Sequence, residues 1–327
     1  MAVTILPLIQ QGITRYGMTT YLIVGIIGNM FNCIMFTRHS YRRTPSSIYL
    51  LFLSICGFIY LPWSTFPIIY ALDHIDPQTQ SIVICKTRLY ISHTLGLFIR
   101  FCLVFACADR FFVTRPNVRI RSLSSIPLAI KFILIMCVIC SLIAVHLPIL
   151  MDIRGGVCGM FGIYKFIYAI YQTSVIGIIP PVLMSIFSVL TIRSLRERHR
   201  DNPVRTRQRD RCLTRMVFAE IIASISVSIP YSSNLIYTAF TYYVVNRSPL
   251  RVEIESFITF FVLFLVYLIS VIPFYLYILT SKTFRKEFIS LFVNFWYKYI
   301  IRRVRIVPYN DQNTVATNNG RTTRIRQ

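Results

Sequence analysis

The sequence predicts an all-α membrane protein: a bundle of seven transmembrane helices with a short amphipathic interfacial helix after the seventh. Three observations carry this reading. Of 327 residues, 55% are hydrophobic and the mean hydropathy is +0.60, more apolar surface than an exterior in water can disperse. Seven stretches reach the roughly 20 mainly apolar residues that a spanning helix needs. The charge is lopsided, with 35 Lys+Arg against 12 Asp+Glu, and the basic residues gather in short segments between alternate stretches.

The spans are read at 17–36, 46–70, 85–114, 126–150, 164–192, 212–243 and 254–280. Backbone groups in lipid must be satisfied within the segment, and no ten-residue alternation points to a barrel, so each is a helix. Residues 1–16 form a short leading segment without the order of a cleavable signal, and the first span is expected to act as its own uncleaved signal. Arg38, Arg42 and Arg43 follow the first span, and Arg115, Arg119 and Arg121 follow the third. Nine arginines from Arg193 to Arg215 lie between the fifth and sixth. The opposite loops carry Asp73, Asp76, Asp152, Glu253 and Glu255 with fewer cations. This bias puts the amino terminus outside the cell and the carboxyl terminus in the cytoplasm.

Prolines interrupt several spans, namely Pro62, Pro67, Pro148, Pro180, Pro181, Pro230 and Pro273. In lipid such breaks read as kinks, because neighbouring helices re-satisfy the freed carbonyls. Past the seventh span, Phe284, Phe288, Phe292 and Phe295 recur every three or four residues among Arg285, Lys286 and Lys298. That period reads as the interfacial helix, with a basic juxtamembrane segment, over 281–308. Residues 309–327 are polar without apolar period and read as a disordered tail.

Several function classes are disfavoured. The basic residues lie in runs between apolar spans rather than along a groove with stacking groups, which argues against nucleic acid. Five histidines are scattered, no metal-ligand spacing exists, and neither a Gly-rich phosphate loop nor a nucleophile elbow appears. Neither an enzyme nor a cofactor is implied. A seven-span transporter would bring inverted repeats or paired broken helices, and neither is visible. The lipid bilayer is the one partner that composition alone names.

The most informative spacing runs from Cys85, opening the third span, to the Asp109-Arg110-Phe111 triplet that closes it. The separation is 110 − 85 = 25 residues, or about 37 Å of helix, one tilted crossing of the whole bilayer. On this spacing the chain resembles the rhodopsin-like (class A) G protein-coupled receptors, in which a cysteine opening the third helix lies this far from an Asp-Arg-Tyr triplet. Gly28-Asn29 in the first span, Cys158 in the second outer loop, a proline at 180 or 181, Pro230 in the sixth span, and Tyr277 ahead of Phe284-Arg285 extend the likeness along nearly the whole chain. Within the family, residues 273–277 and 210–215 look closest to the invertebrate peptide-receptor branch.

The resemblance implies a plasma-membrane receptor that binds an extracellular ligand and activates a heterotrimeric G protein, with arrestin as a further cytoplasmic partner. It implies a disulfide between Cys85 and Cys158, both on the oxidising side. It implies an activation switch around Asp109, Arg110, Pro230 and Tyr277. Asp210, twenty residues before Pro230, occupies the place of the acid that holds Arg110 in the inactive state; a solvated Asp in an arginine-rich loop is the alternative. The ligand pocket maps onto Ser92, His93, Gly96, Tyr231, Ser232 and Tyr267, with His93 read as a packing residue before a contact. No aspartate stands seven residues after Cys85, which argues for a peptide, a neuropeptide among them, over an amine. The outer acids would suit a basic peptide.

Departures from the family pattern are specific. Gly57 stands where the family's second span carries the acid of a sodium site, and Ser228 stands for the tryptophan two residues before Pro230. Pro273 stands for the asparagine of Asn-Pro-x-x-Tyr, and a register on Pro273 as that proline would make Leu276 the tyrosine position. Tyr277 is preferred because its distance to Phe284 fits. These departures leave a receptor-fold bundle that no longer couples as a competing reading. Arg100 and Glu220 are charges inside spans, where ionisable groups are costly and functional. Each lies ten residues outward of Arg110 and Asp210 respectively, so they share a depth, but ten residues fall roughly 80° short of whole turns. The rotation favours separate hydration over a bridge between them. Asn246-Arg247-Ser248 is a sequon in an outer loop whose use Pro249 disfavours.

Overall fold

Among the described residues, seven helices are long and apolar enough to cross a membrane: α1 (Ile5–Thr37), α2 (Pro45–Tyr70), α3 (Ile82–Thr114), α4 (Ile126–Leu150), α5 (Ile163–Glu197), α6 (Leu213–Phe240) and α7 (Pro249–Val271). Beyond Ile272 the seventh continues as Pro273–Thr280, and α8 follows over Lys282–Trp296. The structure is a computed structural model and describes residues 5–42, 44–201, 208–241, 243–244 and 246–296. The predicted tail at 309–327 and the basic segment after Trp296 lie outside the described residues. The bundle belongs to a compact unit that ends at Arg285. In the second unit, the Phe288 and Phe292 rings meet edge to face at 4.9 Å, as the three- and four-residue period of α8 predicts.

Neighbouring helices pack in sequence, α1 on α2, α2 on α3, α3 on α4, with α7 returning to α1. α3 touches α2, α4, α5 and α6 and is the central helix: its apolar window is 61% buried, against 22% for α5. The outward face of α4 presents Leu134, Ile135, Val138, Leu142 and Ile149, an apolar surface that only lipid accommodates at this extent.

α1 begins at Ile5, twelve residues before the predicted span. Leu6, Leu8, Ile9 and Ile13 keep an apolar pattern through this extension, and Arg15, inside the helix, meets Asp73 at 2.5 Å. The prolines act locally. In α5 the segment Thr173–Ile178 is a π-turn just before Pro180 and Pro181, with the Ile179 N–H donating to the Ser174 carbonyl. α6 passes Pro230 as an unbroken helix. At Pro273 the missing N–H removes the donor for the Ile269 carbonyl, and the helical ladder is interrupted at Ile272.

Between α4 and α5 a hairpin pairs β1 (Asp152–Arg154) with β2 (Val157–Gly159), antiparallel, with Ile153 opposite Cys158. Gly155 and Gly156 join them at φ 58° and 74°; two successive left-handed residues define a type I′ turn, for which glycine is the natural choice. The Ile153 N–H and the Arg154 guanidinium hold the Asp152 carboxyl below the usual carboxylate range. Cys158 joins Cys85 at the start of α3, with Cα atoms 5.8 Å apart. Cys85 is fully buried in a cluster with Ala144, Leu147 and Met151, against which Leu89, Tyr90, Ile153 and Tyr168 pack.

Candidate functional site

At the Cys85 end, α2, α3, α5, α6 and α7 surround a cavity of about 120 Å³. Ser92, His93 and Gly96 line it from α3, Tyr231 from α6 and Tyr267 from α7, so five of the six residues expected there are brought together. Ser232 is the exception. It faces Gly177 on α5, where a Cβ would collide with the Ser232 hydroxyl, and it marks the close approach of α5 and α6 rather than the cavity. One residue along a helix turns the side chain through 100°, which is why Tyr231 and Ser232 part company.

Tyr60 on α2 and Tyr168 and Gln172 on α5 also line the cavity and were not among the expected residues. The Tyr60 and Tyr267 rings stand 5.9 Å apart, and Gln172 Nε2 donates to the Tyr231 hydroxyl at 2.9 Å. His93 is buried, with Nε2 at 2.9 Å from the Tyr171 hydroxyl, as a packed and satisfied side chain. Leu89 and Tyr168 belong both to this wall and to the apolar cluster around the disulfide.

Arg100 closes the floor of the cavity, 5% exposed, and its Nη1 donates to the Ser228 hydroxyl at 2.8 Å. Glu220, at the same depth, is 2% exposed and takes the Tyr277 hydroxyl on Oε2 at 2.5 Å, while Oε1 has no hydrogen-bond partner. The two intramembrane charges therefore do not pair: each bonds a different neighbour, as the rotation between them requires.

At the other end of α3, Asp109 and Arg110 are both 4% exposed and bridge at 2.9 Å. Ser46, in the first turn of α2, accepts from Arg110 Nε at 2.6 Å and donates to Asp109, and Ser124 donates to Asp109 Oδ1 at 2.5 Å. Beside them, α3, α5 and α6 leave about 10 Å³, scarcely room for one water. The side chain of Asp210 falls outside the described residues. Tyr277 is fully buried, with Phe284 at 5.8 Å and Phe36 at 5.9 Å between ring centroids.

Asn29 occupies the space above Gly57. Its Nδ2 donates to the Gly25 and Ser270 carbonyls, both at 2.8 Å, and a Cβ on Gly57 would stand 2.8 Å from its Oδ1. Gly57→Asp should thus force Asn29 off these two bonds and lower stability by about 1–3 kcal/mol. Thermal unfolding in sodium and choline chloride should show the loss in both salts, and a rise specific to sodium would contradict this account.

Of the acids at the Cys85 end, Asp73 pairs with Arg15, Asp152 with Arg154, and Glu255 with Arg247 and Arg251 at 2.8 and 2.7 Å. Asp76 caps the turn at Gln78. The oxygens of Glu253 alone among the five have no hydrogen-bond partner. The sequon residue Asn246 is exposed, but Ser248 caps α7 by accepting from the Arg251 N–H.

Comparison with known families gives a match over residues 28–277 to the family described as 7 transmembrane receptor (rhodopsin family). The match opens on Gly28, beside Asn29, and ends on Tyr277. No curated protein matches the chain.

Proposed function

The chain belongs to the rhodopsin family of seven-transmembrane receptors, and from that premise we propose that it takes an extracellular ligand at the Cys85 end and activates a heterotrimeric G protein at the Arg110 end. It is a multi-pass membrane protein. The reading places its amino terminus outside the plasma membrane and its arginine-rich ends in the cytoplasm, on the charge bias of the loops.

One contrast supports this reading: a cavity lined by both polar and apolar side chains lies at one end of α3, while a sealed charged cluster lies at the other. Two interhelical hydrogen bonds stand between them, Arg100 to Ser228 from α3 to α6 and Tyr277 to Glu220 from α7 to α6. α6 is therefore the element that a ligand in the cavity can bias and a cytoplasmic partner can read. Opening the 10 Å³ space beside Arg110 requires α6 to move, and a ligand drives that only if it binds the open bundle more tightly than the closed one. A peptide remains favoured over an amine, because no carboxylate is among the residues lining the cavity. Arrestin would use the same cytoplasmic face.

The test is nucleotide exchange on purified heterotrimers of each Gα class, with the chain in lipid nanodiscs, alone and with a peptide library. At least one class should exchange faster than with empty discs, and Arg110→Ala should abolish the gain. If no class responds under any condition, the chain is a bundle of the receptor fold that does not couple, and the proposal fails.

A further inference from the structure

We propose that Arg100 is the recognition group for a carboxylate carried by the ligand. The guanidinium lies at the floor of the cavity, 5% exposed, with Ser228 as its hydrogen-bond partner. Among the described residues its hydrogen-bond partner is Ser228, no carboxylate lines the cavity, and Glu220 is taken by Tyr277. Arginine carries five N–H donors in a planar fork that matches a carboxylate bidentately. An ionised group inside a membrane protein without a counter-charge is costly, and residues that bear such a cost are functional.

The surroundings suit the same chemistry. Tyr60, Tyr231 and Tyr267 bring three hydroxyls to the cavity, and Tyr231, already accepting from Gln172, keeps its own proton to donate. The cavity of about 120 Å³ holds about four waters' worth of space, enough for a carboxylate with a short carbon stem. Of the five outer acids, Asp73, Asp152 and Glu255 are paired with arginine and Asp76 caps its own turn, which leaves Glu253 as the one carboxylate without a hydrogen-bond partner, and none of the five lines the cavity. A free peptide carboxyl terminus and a small organic acid present the same group.

The inference rests on the cavity being the ligand site, and its test reads binding without any G protein. Thermal unfolding of the purified chain is followed with butyrate, with butyramide, and with a tetrapeptide library bearing free or amidated carboxyl termini. At ten times its dissociation constant a fitting carboxylate should raise Tm by about 3 °C, while its amide should not. Arg100→Gln should erase the shift and Arg100→Lys should weaken it. A shift with butyrate identifies small acids as the source, and a shift with free-terminus peptides alone identifies a peptide. Without ligand, Arg100→Met should raise Tm by relieving the unpaired cation. Carboxylates that leave Tm unchanged, an equal shift in Arg100→Gln, or a fall in Tm for Arg100→Met would each overturn the assignment. Failure to activate any G protein alongside a positive shift would leave it standing and remove only the coupling proposal.

Discussion

Cys85→Ser is expected to remove most of the receptor from the cell surface and to lower the stability of what remains by at most about 4.5 kcal/mol, the chain-entropy value for closing a loop of this length. The bond links residues 73 apart and lies in a fully buried cluster. The figure is an upper bound, since helices already inserted in lipid have less freedom to lose than a free chain. The damage should reach the cavity, because Leu89 and Tyr168 belong to both structures. Cys158→Ser should match Cys85→Ser, and the double substitution should add nothing to either, as expected when both remove one interaction. Surface labelling and thermal unfolding measure this. Independent, additive losses would mean the two thiols act separately.

Tyr277→Phe is expected to cost about 1–3 kcal/mol and to raise basal signalling. The hydroxyl is the donor to Glu220, whose second oxygen has no partner, so the substitution leaves a fully desolvated carboxyl with none. It also cuts a tie between α6 and the lower part of α7, which favours the arrangement in which α6 has moved. Combining Tyr277→Phe with Glu220→Leu should recover much of the stability, since removing both members of a buried pair is far milder than removing one. The double variant should still signal at a high basal level. A Tyr277→Phe protein with unchanged unfolding temperature and unchanged basal exchange would show that this bond holds nothing.

The helices were legible because hydrophobic length and loop charge are properties of each segment by itself. The spacing from Cys85 to Arg110 served as a ruler along α3, and the family resemblance it carried implied the disulfide and the charged switch before any packing was known. Relations between helices were harder to read. Tyr60, Tyr168 and Gln172 come from helices whose rotation about their own axes no single-chain pattern reveals, and Ser232 was misplaced by one step of that rotation. Ser46 gave no signal at all: a serine in the first turn of α2 becomes part of the Asp109–Arg110 cluster only through tertiary approach. The hairpin was foreshadowed by Gly155-Gly156, a turn signal that the membrane pattern overshadowed. α1 outran its predicted start because a span read from the length that lipid requires leaves out the turns that extend beyond it, where Arg15 meets Asp73.

The bond from Asn29 to the Ser270 carbonyl has a bearing on how this protein can drift over generations. One end is a side chain and the other is backbone, so inheritance can alter residue 270 without breaking the tie, whereas Asn29 has no such latitude. Gly57 is held by the same asparagine from the opposite side, since any larger residue would displace it. A saturation library scored for surface expression should therefore show position 270 accepting other small residues, as its buried site allows, beside two intolerant positions, 29 and 57. Pairwise covariation between 29 and 270 should be silent even though the two residues touch.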